Sequence, residues 1–161
     1  MLLGSIELSK LVSEKNLIED FNPDCLESAG YDLRAGRFYR LNSRAKMADE
    51  RVMPEAGELL DDELKLSPGD YVLVESLEKV NIPVDLCARI LPKSSLFRCG
   101  GSLETALVDP GFSGTLTMGL SYNAGYSLTV LRNAKIAQIV FEKVEGQAKA
   151  YDGRFQGGRV V

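Results

Sequence analysis

Five segments of this chain set small or conformationally free residues beside charged and hydroxyl-bearing ones, the composition of a site where backbone approaches a polar ligand. Ser28-Ala29-Gly30-Tyr31-Asp32-Leu33-Arg34-Ala35 puts an acid after a Gly-Tyr turn. In Leu91-Pro92-Lys93-Ser94-Ser95-Leu96-Phe97-Arg98-Cys99-Gly100-Gly101, Pro92 ends a strand and Ser94 and Ser95 are placed to cap a short helix. The free N–H groups of that helix, with Lys93 and Arg98 on either side, would together satisfy a phosphate-sized anion. Between Thr105 and Gly114 an apolar strand delivers Asp109 to a Pro-Gly turn followed by Phe112. Lys135 and Gln138 are embedded in the apolar run Asn133–Phe141, and Tyr151–Arg159 is rich in glycine with two arginines and an aromatic. Such a tail suits closure over a phosphate-bearing nucleotide with stacking on its base. Taken singly, each segment is equally an ordinary turn, strand or frayed end.

The elements that must position these residues are mostly strands. Ser5 is placed to cap one short amphipathic helix, with Leu8, Leu11 and Val12 on one face and an end near Asn16. From Ser28 the pattern changes to short runs punctuated by Gly, Pro, Asn and Asp: 31–35, 37–41, 71–76, 86–91, 103–108, 115–122, 127–131 and 136–144. Many closely spaced strands imply an all-β sandwich or barrel. Arg44 to Leu64, charged and with little periodicity, reads as an exposed excursion between strands.

Composition narrows the chemistry further. The 161 residues, 45% hydrophobic, fit one domain over 1–161 with a flexible tail at 151–161. No apolar run approaches the roughly 20 residues of a spanning helix, so a soluble, cytoplasmic protein without membrane contact is expected. Cys25, Cys87 and Cys99 are odd in number and widely spaced, which suits reduced thiols. A net charge of −4 argues against binding nucleic acid through bulk electrostatics, so a nucleotide-like ligand should be small and held locally. The chain has no histidine. That removes Ser-His-Asp and Cys-His pairs and the His-x-Glu zinc site of zinc nucleobase deaminases, and leaves acid–base work to Asp and Glu.

In this order, and over most of the chain, the five segments resemble the five motifs of the dUTPase/dCTP-deaminase superfamily. Ser28–Ala35 is similar to the first motif, and Pro92–Leu96 to the second, usually written with Arg where Lys93 stands. Val108–Gly114 resembles the third, Lys135–Ile139 the fourth, and Arg154–Gly158 a shortened fifth. The Ser-Ser-Leu-x-Arg and Asp-Pro-Gly-aromatic details look closest to the archaeal and deaminase-type branch. The resemblance implies a distorted β-barrel or jelly-roll of the dUTPase-like β-clip kind, assembled as a homotrimer with sites at subunit interfaces, and a Mg²⁺-bound deoxynucleoside triphosphate. It further implies that Asp32 helps hold the hydrated metal, that Lys93, Ser94, Ser95, Arg98 and Gln138 bind phosphates, and that Asp109 orients the attacking water. Phe112 would pack under the sugar and exclude a 2′-hydroxyl. The backbone of 103–107, at Thr105 and Ala106, would meet the base edge, and Arg154, Phe155 and Gln156 would close over the ligand.

Within that superfamily the reading reached from sequence is hydrolysis of dUTP to dUMP and pyrophosphate, a reaction that needs charge neutralisation and one positioned water. The alternatives are zinc-independent deamination of dCTP and a non-catalytic nucleotide-binding trimer. The deaminases use a glutamate on the strand after the third motif. Here that strand, Gly114–Asn123, contains no carboxylate, and the glutamate position falls at or beside Gly119. A glycine has no side chain with which to move a proton, so deamination is expected to be lost. Glu104 is expected at the surface or at a subunit contact, on one face with Ala106 and Val108.

Overall fold

The chain changes from helical to strand periodicity after its first turns, and the fold follows that change. The computed structural model describes all 161 residues. Helix α1 (Ser5–Lys15) is followed by strand β1 (Ile18–Glu19), one helical turn at Pro23–Cys25, and strands β2 (Leu26–Glu27), β3 (Gly30–Leu41), β4 (Ala56–Leu59), β5 (Glu63–Leu66), β6 (Asp70–Asn81) and β7 (Leu86–Pro92). After helix α2 (Ser94–Arg98) come β8 (Gly101–Glu104), β9 (Leu107–Val108), β10 (Ser113–Tyr122), β11 (Leu128–Leu131) and β12 (Lys135–Lys143). Ten strands form one antiparallel sheet whose spine runs β8-β10-β6-β3-β12-β7-β9 and which curls into a half-barrel; β5 and β11 pair separately. The mainly β expectation holds. No helix is long and apolar enough to cross a membrane.

Alternation builds the core. On β10, Leu116, Met118, Leu120 and Tyr122 are buried while Thr115, Thr117 and Ser121 line the opposite, half-open face. Tyr31, Phe38, Phe141 and Leu8 are fully enclosed, so α1 caps the same core. Two buried carboxylates fasten β6 to β3. Glu78 accepts from the Tyr31 hydroxyl (3.1 Å), the Arg34 amide (3.0 Å) and Arg34 Nε (2.6 Å). Glu75 accepts from Arg37 Nη2 (3.0 Å) and the Tyr39 hydroxyl (2.9 Å). Burial, then the hydrogen bond to Glu75, pushes the Tyr39 phenol up to about 12, and burial raises the Tyr31 phenol as well.

Several local expectations need correction. Residues 31–35 and 37–41 form one strand, with a register shift against β6 between Ala35 and Phe38. The run 103–108 is broken at Thr105-Ala106, where the Thr105 hydroxyl donates to the Ile90 carbonyl (2.9 Å). The stretch 44–64 is not all loop: β4 adds to the edge of β3, and β5 begins with Glu63 and buries Leu64 and Leu66. Gly4, not Ser5, precedes the first turn of α1, whereas Asn16 ends it in the left-handed conformation. The three thiols are free and differ in burial: Cys25 buried, Cys87 half-buried, Cys99 exposed.

Candidate active site

The turn after β9 is clamped at both ends. Phe112 N–H donates to the Asp109 carbonyl (3.1 Å), Gly111 N–H to the Ile82 carbonyl (2.9 Å) and Ile82 N–H to the Phe112 carbonyl (2.8 Å). Asp109 is thereby held, half-buried, on the wall of a cleft of about 370 Å³ that Ala106, Phe112, Thr115 and Thr117 also line. Phe112 is buried and meets the Tyr151 ring edge-on at 5.7 Å. The Thr117 hydroxyl oxygen is buried with no hydrogen-bond partner, an unusual state for a polar atom on a cleft wall and one that a polar ligand would relieve.

The C-terminal segment folds onto this turn. Tyr151 N–H donates to the Pro110 carbonyl (2.7 Å), and Gln156 both accepts from Ser113 N–H (3.0 Å) and donates through Nε2 to the Gly111 carbonyl (2.9 Å). Gly114, at φ +147°, lies so close under the tail that a Cβ there would stand 2.5 Å from the Gly157 carbonyl carbon. Phe155, Arg159 and Val160 complete the cleft rim, while Arg154 is exposed. Of the residues singled out in the sequence, the protomer thus gathers Ala106, Asp109, Phe112 and Phe155 around one cleft, with Gln156 fastening the tail over it. Thr115, Thr117 and Tyr151 were not anticipated; only the alternation of β10, which sends Thr115 and Thr117 to one face, could have pointed to two of them.

The anion-binding candidates lie elsewhere. Lys93, not Ser94 or Ser95, precedes the first turn of α2, and no side chain caps that turn, so both serine hydroxyls stay exposed. The Lys93 ammonium pairs with Asp32, and Lys135 Nζ stands 3.6 Å from the same carboxylate oxygen. Arg98 folds back, donating to the Ser94 carbonyl (3.1 Å) with its guanidinium 5.0 Å from the Phe97 ring centre. Gln138 faces Asp32 across the β12–β3 register. None of these residues lines the cleft.

Magnesium keeps oxygen ligands and most of its waters. Asp32 is only 1% exposed, is already neutralised by Lys93, and has its second oxygen enclosed without a partner. An ion clad in water does not fit there, and no cluster of three carboxylate or thiol side chains is arranged to hold one. The residues present therefore do not fit a protein-held magnesium site at Asp32.

Gly119 is occupied space rather than a gap. It faces Glu104 across the β10–β8 register, and a Cβ built on it would lie 3.0 Å from Glu104 Oε2 and against the Tyr71 hydroxyl. Ser121 Oγ donates to Glu104 Oε1 (2.9 Å). The Tyr71 phenol is raised by burial and by the nearby Glu104 charge. A carboxylate, carried by β8, thus stands directly over the β10 position that lacks one.

A family model described as dCTP deaminase-like matches residues 2–144. The chain belongs to the dCTP deaminase-like family. Among its relatives, a protein of Pseudarthrobacter chlorophenolicus named "dCTP deaminase, dUMP-forming" is 31% identical over 175 residues, covering 99% of this chain and 92% of that one. A Methanothermobacter thermautotrophicus protein named "Probable deoxyuridine 5'-triphosphate nucleotidohydrolase" is 35% identical over 143 residues, covering 88% and 94%. The fold matches the crystal structure of 2'-deoxycytidine 5'-triphosphate deaminase from Agrobacterium tumefaciens with a TM-score of 0.70 at 23% identity; that match covers 87% of this chain and about half, 47%, of the other.

Membership of the dCTP deaminase-like family and the prevailing name of the relatives overturn the reading of the chain as a dUTP hydrolase. The expectation rested on the missing β10 carboxylate and on a surface place for Glu104; antiparallel pairing sets Glu104 against Gly119.

Proposed function

We propose that this protein deaminates dCTP, releasing ammonia and leaving the uracil nucleotide. The observation that carries the reading is the cleft itself, in a chain of this family. A fixed aspartate, an aromatic floor and an unpartnered hydroxyl surround a space of about 370 Å³, within the range of small-molecule sites. In this reading Phe112 packs under the deoxyribose, Asp109 meets the sugar, and the backbone at Thr105 and Ala106 faces the base edge. Phe155 and Gln156 close the tail over the nucleoside.

The α2 turn, remote from the cleft of its own protomer, is proposed to serve a neighbouring copy. Ser94, Ser95, Arg98, Lys93 and Gln138 would there hold the triphosphate of a homotrimer's shared site. Two exposed serines and an arginine beside unpaired helix N–H groups have the chemistry for phosphate oxygens. This chain supplies orientation and charge to the substrate.

Ammonia release measured over a panel of dCTP, CTP, dATP and dUTP tests the assignment. Ammonia from dCTP well above that from CTP and dATP is expected. Pyrophosphate from dUTP with no ammonia from dCTP would overturn it. Light scattering tests the assembly, for which three times 17.6 kDa is expected.

A further inference from the structure

Deamination needs a group that both removes a proton from water and returns protons to the ring and to the leaving nitrogen. Asp109 sits at the turn end of the cleft. The walls toward the other end are the β10 face bearing Thr115 and Thr117, and the segment after β8 bearing Ala106. Gly119 continues that β10 face two residues beyond Thr117, about 7 Å further along the strand. Over Gly119 stands the Glu104 carboxylate, two residues before Ala106. It is exposed and lies just outside the residues that line the cleft of the protomer.

Its orientation is fixed rather than incidental. Ser121 Oγ donates to Oε1, Tyr71 crosses the same glycine from β6, and Oε2 is the oxygen left over Gly119. A Cβ at 119 would stand against the Tyr71 hydroxyl and 3.0 Å from Oε2, so a large side chain there would push both groups aside. The glycine therefore keeps open the space that Glu104 and Tyr71 enter.

Building on the deaminase reading, we infer that Glu104 is the catalytic proton carrier, reaching from β8 across Gly119. Water oxygen bonds to C4 of cytosine while Glu104 takes one of its protons, and that proton is delivered to N3. The remaining hydroxyl proton then passes through Glu104 to the amino nitrogen. The C4–N bond breaks, its electron pair leaves with ammonia, and the C4 carbonyl forms. Ser121 is a positioning residue that holds Oε1.

The test compares wild type, Glu104→Gln and Glu104→Asp in the full-length protein, with dCTP as the probe for both affinity and ammonia release. For Glu104→Gln the expected result is a fall in kcat of about 10²-fold or more, the typical contribution of positioned acid–base catalysis, with dCTP affinity within about twofold of wild type. Glu104→Asp should regain part of the rate. Retained affinity demonstrates that the variant is folded. If Glu104→Gln turned over dCTP at the wild-type rate, or lost rate only through weakened binding, the assignment of Glu104 would fall while the deaminase reading stood. If wild type itself released no ammonia, that reading would fall first. As a second variant, Gly119→Leu should lower kcat by displacing the carboxylate, and an unchanged kcat in a variant that binds dCTP would overturn the proposal.

Discussion

Replacing Asp32 by asparagine should destabilise the protein by about 2 kcal/mol, whether or not magnesium is present. The carboxylate is 1% exposed, pairs with Lys93, and has Lys135 at 3.6 Å on the same oxygen. A hydrogen bond to a charged group contributes on the order of 1.5–3 kcal/mol. Lys135, 37% exposed, adds little after screening by solvent. Asparagine keeps the shape and one acceptor but leaves the partly buried Lys93 only the exposed Glu27 carboxylate, 3.6 Å away, as a counter-charge, which places the loss in the middle of that range. For a domain of this size each 1 kcal/mol shifts Tm by about 2–4 °C, so a fall of about 4–8 °C is expected. Thermal unfolding followed by circular dichroism, in EDTA and again in millimolar magnesium, is the assay. Equal deficits in the two buffers are the expected outcome. A variant as stable as wild type in EDTA, or a magnesium-induced rise in wild-type Tm that the variant lacks, would refute the argument that this carboxylate serves a lysine pair and not an ion.

Three further outcomes follow from the packing. Phe112→Ala removes a buried ring that rests on Tyr151 and should cost about 3 kcal/mol in urea unfolding, with weaker preference for dCTP over CTP. Gly114→Ala forces a Cβ into the tail at a backbone conformation alanine disfavours; it should cost about 1–3 kcal/mol and speed proteolysis within residues 151–161, and an unchanged cleavage rate would separate the tail from this glycine. The Tyr39 phenol has a folded pKa of about 12 against about 10 when unfolded, so its contribution is complete below pH 10 and is lost as pH rises through 12. Unfolding free energy should therefore decline across that window, less steeply in Tyr39→Phe.

Long-period features of this fold were legible in the sequence, and features that depend on pairing were not. β6 and β10 carry long stretches of alternation and β12 a largely apolar run of nine residues, enough to declare strands. β4 and β5 are four residues each, and β4 owes its place to backbone pairing with Phe38–Leu41, which leaves no mark on its half-buried side chains. Asp109 and Phe112 could be found because one turn sets both. The bond from Lys93 to Asp32 could not, since it joins residues 61 apart and depends on β12 lying between β3 and β7. Glu104 is exposed, as alternation implies, but alternation does not reveal what its carboxylate faces. The break at Thr105-Ala106 ends that alternation, and the register of β8 with β10 decides where its carboxylate stands.

Chromatographic identification of the nucleotide formed from dCTP, with ammonia counted in the same reaction, tests the central claim most directly. A uracil nucleotide and one ammonia for each dCTP consumed are the expected result. Unaltered dCTP, in a preparation that binds it, would contradict the account.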